Sequence, residues 1–376
     1  MRVKHSLFKT LKMIVSVLVS IIGIVIFIAI LFINFSPEFG AKSKGAYKAK
    51  LEQSPNYVSG KFKNIEETVV MKNTDWGRMT EYFNNGDKVP NFSLPVVKMS
   101  REGLNVVSKG RTRLTWFGHS AVLLQIDGKK IFLDPMLGKV PAPHPWLGSN
   151  RFNDTLPLGI DELPKLDAVL ISHDHYDHLD YGSISRIKNK VSMFYVPLGV
   201  GAHLRSWGVN DAKIIELDWW DEVNFGGITL VATPARHFSG RGVFDRYSTL
   251  WCSWVIRGKN KNLFFGGDSG YDASFKAIGE KYGPFDFAML ECGQYDVQWP
   301  EIHMMPEQTV QASVDLNSKL LMPIHWGAFK LSLHSWKEPV ERVIKKAEEM
   351  NVALTTPRIG ESVILSESAP VAHWWE

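Results

Sequence analysis

An apolar strand that runs straight into a histidine-rich loop constrains this chain more than any other stretch. Asp167-Ala-Val-Leu-Ile-Ser172 reads as a buried β-strand. It leads into His173, His175, Asp177 and His178, in the order His-x-His-x-Asp-His. Three of the chain's 12 histidines thus fall within six residues, a concentration that a polar loop rarely reaches by chance. A loop at a strand end can aim such side chains at one spot without helical spacing. Neutral imidazoles and a carboxylate suit a borderline-soft cation such as zinc. The order implies two adjacent cations, His173 and His175 serving one and Asp177 and His178 the other.

Other strands end in the same kind of residue. Ile228 to Thr233 leads through Pro234 to His237, Leu263 to Phe265 leads through Gly266 and Gly267 to Asp268, and Leu320 to Ile324 leads into His325. Taken singly, each is an ordinary polar strand end. Taken together, the seven residues make two sites of three ligands and one shared carboxylate. The glycines before Asp268 permit close backbone approach. Two cations so placed lower the pKa of a shared water, and a bridging hydroxide is then the expected nucleophile at neutral pH. His119, in Gly-His-Ser-Ala, reads as a supporting or packing group rather than a ligand. Arg236, Arg241 and Arg246 read as a solvated basic loop, and His144 and His334 as exposed loop residues.

From Arg111 onward the pattern is regular. Strands are expected at Thr112 to Phe117, Ala121 to Ile126, Lys130 to Leu133, Lys213 to Leu217, Leu250 to Ile256 and Phe287 to Leu290, with Asp127-Gly128 as a hairpin turn. Helices are expected at Tyr181 to Asn189, Gly199 to Trp207, Ser274 to Tyr282, Pro306 to Leu316 and Glu338 to Asn351. This mixture predicts sheets covered by helices. Residues 36–110, rich in turn formers, read as a linker and wrapping segment, and residues 111–376 as the catalytic domain. Cys252 and Cys292 sit in apolar contexts and read as buried free thiols, with a disulfide left open.

Met13 to Pro37 carries no charged residue. The run is longer than the core of a cleaved signal and ends in large residues rather than a small-x-small site, so residues 13–35 read as an uncleaved transmembrane anchor. The preceding tail, residues 1–12, holds Arg2, Lys4, Lys9 and Lys12 and no acid. That places the N-terminus in the cytoplasm and the main body outside, which would be the periplasm if the source is bacterial. Four lysines after the anchor weaken the bias without reversing it. The formal charge of +4 is concentrated in these flanks. The body beyond is mildly acidic, which excludes nucleic acid as the natural ligand.

Several longer runs carry a resemblance. They are Trp116-Phe-Gly-His-Ser-Ala-Val-Leu-Leu124, the stretch from Asp167 to Tyr181, Glu216-Leu-Asp-Trp-Trp220, Gly267-Asp268-Ser-Gly-Tyr271 and Ile324-His-Trp-Gly327. The chain resembles metallo-β-lactamase-fold hydrolases and, within them, the N-acyl-phosphatidylethanolamine-hydrolysing phospholipase D group. The resemblance spans roughly Thr115 to Phe329 and implies an α/β fold, an αββα sandwich with a binuclear site at one edge. It implies that His173, His175 and His237 bind one zinc, that Asp177, His178 and His325 bind the other, and that Asp268 bridges. Manganese or iron also suits such a shell. Asp177 and Asp268 would thereby act in catalysis, and His303, in Pro300-Glu-Ile-His303, matches a family active-site histidine.

The implied activity is release of phosphatidic acid and N-acylethanolamine from a phospholipid substrate at the membrane, with a homodimer admitted as the assembly. The rival is a hydrolase of the same fold acting on a small soluble phosphodiester or a sugar-phosphate lactone. A degenerate binding scaffold is disfavoured because none of the seven positions is replaced.

Overall fold

The structure, a computed structural model, describes residues 2–72, 76–105 and 110–376. Met1, at the start of the basic tail, and residues 73–75 and 106–109 of the connecting segment lie outside the described residues. Two sheets form the body. The first has seven strands, in the spatial order Ser362–Ile364, Arg113–Trp116, Val122–Ile126, Lys129–Leu133, Leu166–Leu170, Val191–Pro197, Ile214–Leu217. The second has six, in the order Leu321–Ile324, Phe287–Glu291, Asn262–Phe265, Ser253–Arg257, Ile228–Thr233, Glu222–Phe225.

Side-chain alternation explains the layers. In the first sheet Val122, Leu124, Ile131, Leu133, Ala168 and Leu170 point into the core shared with the second sheet. Their neighbours Leu123, Phe132, Val169 and Ile171 face the other way, onto Ile184, Ile187 and Leu204. A strand buried on both faces reads as a continuous apolar run, and these do. Helices Tyr181–Ile187 and Gly201–Ser206 therefore cover the first sheet. Ser274–Tyr282, Pro306–Asp315 and Glu338–Met350 cover the second through Phe275, Ile278, Val310, Val340 and Val343. The result is an αββα sandwich.

The expected helices lie within two residues of those observed. Val191–Pro197, Glu222–Phe225 and Ser362–Ile364 are strands that periodicity did not reveal. The second of these sits at a sheet edge with its alternate residues exposed, so it carries little apolar signal. The expected strand from Leu250 is shorter and begins at Ser253, because Leu250 and Cys252 each make an isolated bond, to the carbonyls of Leu198 and Ser172, before the ladder starts. Both cysteines are buried and free. Near the C-terminus Trp326 packs on Trp116, Trp374 and Trp375 at ring-centroid distances of 5.6, 5.3 and 5.3 Å, closing the core beside His325.

The N-terminal helix runs over Arg2–Phe35 and takes in the basic tail. Within Ser6–Phe35 an 18-residue window reaches a mean hydropathy of 3.2, and none of that window is buried against the body. It is long and apolar enough to cross a bilayer. The segment that follows wraps the body, with Leu51, Phe62 and Leu94 buried in the shared core.

Candidate metal centre

Four strand ends meet at one edge of the sandwich. Leu166–Leu170 delivers His173, His175, Asp177 and His178, Ile228–Thr233 delivers His237, Asn262–Phe265 delivers Asp268, and Leu321–Ile324 delivers His325. Ligand atoms of His173, His175, His237 and Asp268 all lie within 4.8 Å of one another. Those of His119, Asp177, His178 and His325 form a second such group, and those of Asp268, His303 and His325 a third. Gly267 makes the convergence feasible. Its φ is +59°, and an added Cβ would stand 2.6 Å from the Ser172 Cβ. His119, Asp134 and His325 also hold positive φ angles, of 55°, 39° and 67°. For non-glycine residues such backbones cost on the order of 1–3 kcal/mol each and gather at functional sites.

Outer hydrogen bonds fix the tautomers. The His237 Nδ1–H donates to the Ile302 carbonyl at 2.8 Å, and His173 Nδ1 lies 2.9 Å from the Ser172 hydroxyl oxygen. Each ring then turns an Nε2 lone pair inward, and these lie 3.2 and 2.9 Å from the Nδ1 of His175. Burial, reinforced by neighbouring imidazoles, holds His173 and His237 well below the usual histidine range, so they remain neutral. Three facing lone pairs repel unless a proton or a cation sits between them.

In the second group the His178 Nδ1–H donates to buried Asp134 at 2.7 Å, which leaves Nε2 as the inward atom. That atom and Asp268 Oδ1 are 3.1 Å apart, buried, and without hydrogen-bond partners. Burial works against charge on His178, but Asp268, Asp177 and Asp134 outweigh it and hold the imidazole well above its ordinary range. Burial would likewise raise Asp177, yet His178 and His119 keep its carboxyl well below the usual range. The donor set of imidazole nitrogens and buried carboxylates, with orphaned atoms aimed inward, fits divalent cations.

Asp268 lies between the groups, with Oδ2 3.8 Å from both His173 and His237 and Oδ1 3.1 Å from His178 and from His325 Nδ1. His303 stands beside both groups, its ring 5.1 Å from that of His237 and 5.4 Å from that of His325. Its Nδ1 is 2.9 Å from the buried Glu291 carboxylate. Burial opposes a charged His303, but Glu291 prevails and raises it to about 9.

Some residues stand apart from their sequence reading. Of its two readings, supporting or packing group, His119 has the geometry of the first, with Nε2 2.9 Å from Asp177 Oδ2 and its ring 4.0 Å from that of His325. Asp134 and Glu291 were not singled out as supporting groups. Arg241 is not solvated. It is buried, and it donates to the carbonyls of Asp174 and Leu179 within the motif loop and of Glu38 just after the long helix. His334 is not exposed either; it accepts from the Gln294 amide and stacks on Tyr295.

The segment after the helix is fastened to the same loop. Trp207 Nε1 donates to the Pro37 carbonyl at 2.7 Å, and the Ala41 amide donates to His203 Nδ1 at 3.0 Å. The proton of His203 therefore sits on Nε2, which faces Asp174 at 3.2 Å, between the ligand candidates His173 and His175.

A sandwich of this build, with two adjoining His/Asp clusters at one sheet edge, is that of a metal-dependent hydrolase. A family model described as the β-lactamase superfamily domain matches residues 129–326, and the chain belongs to that family. An uncharacterized protein of Mycobacterium tuberculosis is 39% identical over 339 residues, covering 87% of this chain and 89% of that one. The N-acyl-phosphatidylethanolamine-hydrolyzing phospholipase D 1 of Caenorhabditis elegans is 32% identical over 256 residues, 65% of this chain and 71% of that one. Among solved structures, Igni18, a metallo hydrolase of the archaeon Ignicoccus hospitalis, shares the fold with a TM-score of 0.53 at 22% identity, covering 68% of this chain and 98% of that one.

Proposed function

We propose that this chain is a bilayer-anchored, binuclear zinc phosphodiesterase of phospholipase D type. It would hydrolyse N-acyl-phosphatidylethanolamine-like lipids to phosphatidic acid and an N-acylethanolamine. The observation that carries the reading is the pair of clusters meeting at Asp268, an arrangement suited to a phosphodiester held between two cations. The likeness to the nematode phospholipase supports the substrate class, and the apolar helix fastened beside the site supports a lipid substrate.

His173, His175 and His237 would hold one cation, and Asp177, His178 and His325 the other, with Asp268 shared. Bound there, the cations supply Lewis acidity and a water acidic enough to serve as nucleophile near neutral pH. The protein's own groups do the rest. His119 donates to Asp177 and fixes its carboxylate. Asp134 holds His178 in the Nδ1–H tautomer and Ser172 does the same for His173, so that each presents a lone pair. His303, held as an imidazolium by Glu291, donates from Nε2 to the phosphoryl or leaving oxygen and passes its proton to the departing ethanolamine oxygen. Water adds to phosphorus as the phosphorus–oxygen bond to that group breaks. The basic tail sets the N-terminus in the cytoplasm and the catalytic body across the membrane.

The test is turnover by purified full-length protein of N-acyl-phosphatidylethanolamine, phosphatidylcholine and a soluble phosphodiester. The N-acylated lipid is expected to be cleaved fastest. Turnover of the soluble ester with neither lipid touched would instead assign a hydrolase of small soluble esters.

A further inference from the structure

We propose that two apolar loop tips, Trp146-Leu147 and Val243-Phe244, enter the bilayer on either side of the helix exit and hold the metal-bearing edge against the lipid. The inference rests on the reading of Ser6–Phe35 as a bilayer span. Both loops leave the end of the sandwich that carries the metal clusters. One follows strand Lys129–Leu133 and Asp134, and the other lies between His237 and strand Ser253–Arg257. Their tips are bare, with Trp146 78%, Val243 65% and Phe244 87% exposed. Large apolar side chains grouped in this way mark an interaction surface, whereas scattered ones do not.

The occupant follows from what the tips adjoin. The ring of His144, which contacts Trp146, lies 6.2 Å from Phe32 near the end of the long helix. A cleft of about 550 Å³ is lined by Ile33 and Asn34 from that helix and by Val243 and Phe244 from the loop. The tips therefore sit level with the last turn of a segment whose own apolar surface is uncovered. Whatever solvates that turn solvates the tips, and for a membrane span that is lipid. Lys42 and Lys44 line the same cleft, a cationic rim suited to anionic headgroups. Aromatic side chains at helix exits commonly lodge at this depth.

The geometry also joins tip to site. The second loop is rooted at Phe238, whose ring lies 4.5 Å from that of His175. Arg241 clamps the loop to the Glu38 carbonyl and to the motif loop. The helix exit, the tips and the metal edge are thus one bolted unit, and lipid need not leave the membrane plane to reach the clusters.

The experiment uses full-length protein in vesicles of phosphatidylcholine and phosphatidylglycerol. An environment-sensitive probe is attached at Phe244→Cys, at Leu147→Cys, and at Asn260→Cys in the turn at the opposite end of the sandwich. The native cysteines are buried. Emission at 244 and 147 is expected to shift to the blue and to be quenched by nitroxide-bearing lipid, with 260 unaffected. Probes at 244 and 147 as accessible to water as at 260 would overturn the proposal. As a second readout, a V243D/F244D variant should lose at least about tenfold of its turnover of vesicle lipid while keeping its membrane attachment and its rate on a soluble diester. An equal loss on both substrates would contradict it. Should the parent protein cleave no lipid at all, the substrate assignment fails, and probe depth still decides the docking.

Discussion

Replacing Asp268 by asparagine is expected to lower kcat/KM by about 10³-fold or more and to reduce bound metal from two equivalents to one or none. The substitution preserves shape, so the effect isolates charge. Asp268 places Oδ1 and Oδ2 toward different clusters, 3.1 Å from His178 on one side and 3.8 Å from His173 and His237 on the other. An amide can offer one oxygen and no negative charge, so one cluster faces an N–H where it needs an acceptor. A 10³-fold loss corresponds to about 4 kcal/mol of transition-state stabilisation, an ordinary scale for removing one electrostatic contributor from a water-poor site. The checks are metal content by elemental analysis and steady-state rates on the same preparation. Two equivalents retained at an unchanged rate would remove Asp268 from its bridging role.

Asp134→Asn is expected to weaken metal binding by about 10–100-fold while leaving every candidate ligand in place. Asp134 is wholly buried. It accepts from the Ser172 amide at 2.7 Å, the Ser172 hydroxyl at 2.5 Å and His178 Nδ1 at 2.7 Å. Asparagine retains one acceptor and brings in an NH₂ that faces groups already donating. The local remedy is for His178 to move its proton to Nε2, which occupies the lone pair meant for the cation. Losing one partner of a buried ionic contact also destabilises the fold by roughly 3–5 kcal/mol. Calorimetric zinc titration tests the first effect and thermal denaturation of the metal-free protein tests the second. Unaltered zinc affinity would mean that the Asp134–His178 contact is structural only.

These two residues show what the sequence makes legible. The His-x-His-x-Asp-His run, His237, Asp268 and His325 are readable because metal chemistry accepts few residue types and the sandwich brings strand ends together. Asp134 and Glu291 obey the same rule, since each closes an apolar strand, but a single acid in that position has many ordinary explanations. Only the 2.7 and 2.9 Å contacts to His178 and His303 distinguish them. His119 is legible as a supporting or packing group, but its reach to Asp177 depends on a left-handed backbone after Gly118, which residue identity does not announce. Arg241 departs from its reading because its partners are distant in the chain: the carbonyls of Glu38, Asp174 and Leu179 and the rings of Tyr176 and Trp207. Contacts of that range follow from tertiary packing and leave no periodic trace.

The central claim is that two cation sites share one carboxylate. Anomalous diffraction at the zinc edge, from full-length protein crystallised without chelator and supplied with zinc, tests it most directly. Two separate peaks are expected, one within coordination distance of His173, His175 and His237 and the other of Asp177, His178 and His325, with Asp268 touching both. A single peak, or a second one that makes no contact with Asp268, would contradict it.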